Sequence, residues 1–101
     1  TLGRTVTDPR HGGHRVVGST DMGNVSHLVP SIHPMIASAP AGISIHTKQF
    51  AQFARSPMAD QAVLDGAKAM AMTAIDFWTS SECQKAVVAE FRTANPDQNV
   101  L

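Results

Sequence analysis

From residue 57 onward, apolar side chains recur at spacings of three and four: Val63, Ala67, Met70, Ala71, Ala74, Ile75 and Trp78. That period marks an amphipathic helix. Ser56-Pro57 predicts its start, with serine as N-cap and proline at the first helical position, and the pattern runs to about Trp78. Met72 and Phe77 widen the apolar stripe to nearly all sides, which predicts burial against more than one neighbouring layer. Ser81, Glu82, Cys83 and Gln84 fit a capping box that opens a last helix to about Thr93. Upstream, Thr47 suits the N-cap of a short helix reaching about Ala54, with Phe50 and Phe53 three apart on one side.

Before Thr47 the pattern differs. Residues 1–14 (TLGRTVTDPRHGGH) carry no hydrophobic period and read as a loop or frayed terminus. Residues 15–17 suit the beginning of a strand, and residues 18–24 (GSTDMGN) are rich in turn formers and predict a loop. Residues 26–29 form a strand candidate closed by Pro30, and residues 32–38 form a second, with Pro34 arguing for an edge or a bulge. Residues 39–42 predict a turn, and residues 43–45 lead into His46. The expected class is therefore α/β: short strands followed by long helices, in one layered unit over residues 15–95 with a tail at 96–101. The strands are too few for a self-sufficient sheet, so the pattern predicts part of a larger domain.

Composition sharpens this only in places. The chain has 101 residues, enough for one small domain at most, and about 60–65% of its unfolded surface can be buried. Charged residues are 16% of the chain, below the roughly 25% typical of soluble domains, which hints at surface meant for cover by other protein. Eight basic and eight acidic residues balance, and no basic stripe supplies the electrostatic attraction that nucleic-acid binding requires. No apolar run approaches the length of a membrane span, and the first ten residues do not have the form of a signal peptide. The single cysteine, Cys83, reads as an inert helical residue in a reducing, cytoplasmic setting.

Five histidines are present, at positions 11, 14, 27, 33 and 46. Neither a helical HExxH pair nor a CxxC accompanies them, so spacing alone leaves each one an ordinary surface or core residue. The acidic residues Asp60, Asp65, Asp76, Glu82 and Glu90 fall on predicted helices and read as solvated faces.

The block GSTDMGNVSHLVPSIHP at residues 18–34, followed by HTKQF at 46–50 and then a long Ala/Met helix, resembles a known family. It is similar to the C-terminal part of the co-catalytic zinc metallopeptidases and amidohydrolases, among them aminoacylase, carboxypeptidase G and many dipeptidases. Within these it is most similar to the branch of aminobenzoyl-glutamate hydrolase and the β-alanyl-lysine type of dipeptidase. The resemblance covers about residues 16–80.

It implies the C-terminal part of a three-layer α/β/α catalytic domain, and a binuclear zinc site whose last protein ligand matches His46. It also implies that Gly18, Ser19 and Thr20 border the substrate, a dipeptide or an N-acyl amino acid. Asp21 is expected either to fasten that loop, the favoured role, or to orient groups near the metal, and Asn24 and Ser26 to secure the turn into the strand; His27 and His33 receive no metal role. In such enzymes a metal-activated water attacks the amide carbonyl while a glutamate shuttles the proton. The family's other ligands come from an H-x-D motif, a Glu-Glu pair and a further acidic or histidine ligand, and no segment here matches them. The expectation is a fragment that is inactive alone. Two alternatives are a non-catalytic interaction module that self-associates, and one subunit of a split enzyme whose N-terminal half is another chain.

Overall fold

A computed structural model of the chain describes residues 2–6 and 19–97. Among them are four helices: α1 (Met22–Leu28), α2 (Lys48–Phe53), α3 (Pro57–Thr79) and α4 (Ser81–Ala94). No strand occurs among the described residues, so the expected α/β class, with its three-layer α/β/α domain, is overturned for this part of the chain. The strand start expected at residues 15–17 lies outside the described residues.

The reason is local hydrogen bonding. Residues 26–29 carry the valine and leucine content of a strand, but a strand satisfies its backbone only through a neighbour. Here the segment closes on itself. The Asn24 and Val25 N–H groups donate to the Asp21 carbonyl (3.1 and 3.3 Å), and the Val29 N–H donates to the Val25 carbonyl at 3.0 Å. The Ser26 hydroxyl donates to the Gly23 carbonyl at 2.8 Å. The loop expected at residues 18–24 therefore gives way to helix from Met22 onward. Residues 32–38 remain without helix or ladder, as the proline at position 34 and the lack of a pairing strand dictate. The turn at residues 39–42 is present: the Ile43 N–H reaches the Pro40 carbonyl, and Gly42 takes φ +85°.

The helix starts follow the sequence closely. The Thr47 hydroxyl accepts from the Phe50 N–H at 3.1 Å, and the Ser56 hydroxyl from the Ala59 N–H at 3.2 Å with proline in the first turn. At α4 the cap lies one residue earlier than the capping box implies: the Ser80 hydroxyl accepts from the Cys83 N–H at 3.1 Å. Gln84, released from the box, donates instead to the Phe77 and Trp78 carbonyls (2.8 and 3.4 Å) and so occupies acceptors at the end of α3.

Where length predicts one domain, the chain divides into two compact units. One comprises residues 34–84, and the other the described residues before 34 and after 84. In the first unit the buried residues of α3 are Ala59, Ala62 and Asp65, three apart along one line. Asp65 is thus not on a solvated face; it is 6% exposed, and accepts from the Gln61 amide at 2.8 Å. The stripe that the sequence assigns to a core lies open instead, with Val63 71%, Met70 62% and Trp78 74% exposed. Periodicity reports which side chains gain from cover, and the described residues do not supply that cover.

In the second unit Phe91 on α4 is buried. The side-chain amide of Asn95, just past α4, donates to the Phe91 carbonyl at 3.1 Å. Its oxygen therefore faces His27 Nδ1 of α1 at 3.3 Å and accepts from it. Among the described residues no helix is long and apolar enough to cross a membrane.

Candidate functional site

His46 sits between the turn at Gly42 and the Thr47 cap. Its φ is +61°, and among the described residues it is the one non-glycine with a positive φ. Histidine tolerates the left-handed region better than most residues, yet the conformation costs on the order of 1–3 kcal/mol and persists only where its surroundings hold it. The following residue holds the local geometry: the Thr47 hydroxyl donates to the Ser44 carbonyl at 2.7 Å and also accepts from the Phe50 N–H. The imidazole is exposed. Among the described residues no three His, Cys, Asp or Glu side chains group closely enough to hold a metal ion. The donors among the described residues therefore do not make up a zinc site by themselves.

Ser19 and Thr20 are exposed and immediately precede α1; Gly18, with His11 and His14, lies outside the described residues. The Thr20 hydroxyl oxygen accepts from the Met22 N–H at 3.0 Å, and its carbonyl accepts from the Gly23 N–H at 3.0 Å, a compact turn that leads into the helix. Asp21 is the N-cap of α1, and its carboxylate makes no capping bond. Ser26 bonds within α1, and does not secure a turn into a strand.

Ser19, Thr20 and Ser26, but not Asp21, border an open depression of ≈ 450 Å³ whose lining also includes Met22, Ile32 and His33. Sequence reasoning gives His33 no metal role, and the structure sets it on the same depression as the candidate substrate loop. A signal was available in the two prolines at 30 and 34 that bracket it, since a residue before proline is confined to extended backbone. His46 belongs to the other compact unit. Cys83, half-buried on α4, has its N–H committed to the Ser80 cap.

Comparison with known proteins adds the family context. No family model matches the chain, and no solved structure matches it significantly. Among curated proteins, the mouse Xaa-Arg dipeptidase is 38% identical over 84 residues, which is 83% of this chain and 19% of that protein. The human Xaa-Arg dipeptidase is 40% identical over 75 residues, 74% of this chain and 17% of that protein. The chain is similar to dipeptidases. It spans less than a fifth of the length of these dipeptidases, so the similarity supports a relationship to dipeptidase-type hydrolases and reaches no further.

Proposed function

We propose that the chain is part of a zinc-dependent amide hydrolase acting on dipeptides or N-acyl amino acids. In this reading His46 contributes one ligand to a two-metal site, residues 18–20 border the substrate, and the remaining ligands and the general base come from polypeptide beyond this chain. The observation that carries it is the coincidence at His46. The residue that the HTKQF motif singles out also holds a strained backbone conformation, of the kind that clusters at functional sites. The similarity to Xaa-Arg dipeptidases supports the same class. The single cysteine fits a reducing, cytoplasmic setting.

The chain alone, supplied with zinc and a dipeptide ending in arginine, should turn over at background rate. A chimera in which it replaces the matched segment of the mouse dipeptidase should hydrolyse the same dipeptide. Metal-dependent turnover by the isolated chain contradicts the assignment of an incomplete site. A folded chimera without activity contradicts the functional reading itself.

The open apolar stripe of α3 favours a second reading, a non-catalytic module that associates through that face. Val63, Met70, Ile75 and Trp78 are all more than half exposed on one helix, and apolar surface of this kind drives association. Light scattering should then show oligomers at micromolar concentration, and a stable monomer contradicts it.

A further inference from the structure

We propose that His27 and Asn95 form a proton-operated latch between α1 and α4. It is closed while the His27 imidazole is charged and loosens when the ring is neutral. The latch is independent of the hydrolase reading and involves neither metal nor substrate.

The geometry fixes which atom must carry the proton. The Phe91 carbonyl can only accept, and it takes the Asn95 backbone N–H at 2.9 Å and the Asn95 side-chain N–H at 3.1 Å. That orients the amide, so its oxygen, which also only accepts, is the atom 3.3 Å from His27 Nδ1. The contact is a hydrogen bond only when Nδ1 bears hydrogen. Imidazolium carries hydrogen on both ring nitrogens, and its bond to the amide oxygen is charge-assisted. The neutral ring has a single N–H, and the bond survives only if that hydrogen sits on Nδ1 rather than Nε2. Histidine changes charge between about pH 5 and 8. A proton held more firmly by the folded than by the unfolded chain stabilises the fold at the lower pH, and that contribution fades as pH rises.

α1 depends on this bond because it buries no residue of its own. Among the described residues, the contact is the one side-chain hydrogen bond between α1 and α4. His27 also stands in the last turn of α1, where unpaired carbonyls favour a cation. α1 carries no other ionisable side chain, and Asp21 caps its far end. On α4, Glu90 and Arg92 flank Phe91 with opposite charges, and Asp97 follows Asn95. Arg4, in the same unit, has a partner of its own. None of these groups bonds or ion-pairs with His27, whose partner among the described residues is Asn95.

The test is urea unfolding of the 101-residue chain at pH 5 and pH 8, as a cycle of His27→Ala, Asn95→Ala and the double variant. The factor by which His27→Ala raises the unfolding constant should be at least about threefold larger at pH 5 than at pH 8. That magnitude is a hydrogen bond to a charged group, discounted for exposure. In the Asn95→Ala background the two factors should agree within about 1.5-fold, because the acceptor is gone. Equal factors at both pH values in the parent overturn the latch. A pH dependence that persists in folded Asn95→Ala also overturns it, since another group would then hold the proton. Amide exchange of residues 25–28 in the parent gives a second readout that needs no variant. Corrected for the intrinsic pH dependence of exchange, protection should fall at least about threefold from pH 5 to pH 8, and protection independent of pH contradicts the latch.

Discussion

Replacing His46 with alanine in the dipeptidase chimera should lower kcat/KM at least a hundredfold. Removing groups that merely orient metal ligands already costs about 10–100-fold, and loss of a ligand itself exceeds that range. The helices should persist, because His46 is exposed and makes no hydrogen bond among the described residues, while α2 is held by the Thr47 hydroxyl. Activity should therefore fall without a matching fall in melting temperature. Steady-state kinetics beside circular dichroism separates the two readouts. Activity within threefold of the parent chimera makes His46 an ordinary residue at a turn, and a parallel collapse in stability makes it a structural one.

The second large effect concerns stability. Phe91→Ala should destabilise the chain by about 3–5 kcal/mol, the range for deleting a buried aromatic ring. Phe91 is 6% exposed, and the other buried apolar residues among those described are alanines. Domains of this size have only about 5–15 kcal/mol of stability in total. The loss should concentrate in the unit that contains α1 and most of α4. There the Asn95 side chain ties the Phe91 carbonyl to His27 of α1. Urea unfolding followed by the His27 ring resonances should show that unit opening first. A midpoint within the error of the parent would mean that Phe91 is not the centre of this packing.

The parts of the structure legible in the sequence are those written in local chemistry. Thr47 and Ser56 cap helices because a hydroxyl in front of a helix meets an N–H three residues on, and no distant residue can alter that. At Ser80 and Ser81 two adjacent serines compete for the same role, and the pattern favours the wrong one by a single residue. Strands are a different matter, since their stability resides in a partner. Residues 26–29 and 32–38 hold strand-like composition, but the described residues offer them no ladder. Asp65 escaped for a related reason: burial depends on which face of α3 meets a neighbour, and the apolar period points to a different face. At the candidate site, the motif marked His46 and the loop before α1. The positive φ of His46 is a three-dimensional fact that no spacing rule encodes, and the prolines around His33 mark its stiff backbone without giving its place beside Ser19 and Thr20.

The central claim, that His46 is a metal ligand held in a strained turn, is most directly tested by metal analysis of a His46→Gly chimera. Glycine accepts a positive φ without strain, so its melting temperature should be unchanged or higher. Zinc should fall from two equivalents per chain to about one after dialysis against a weak chelator. Two equivalents retained by the folded glycine variant would contradict the account.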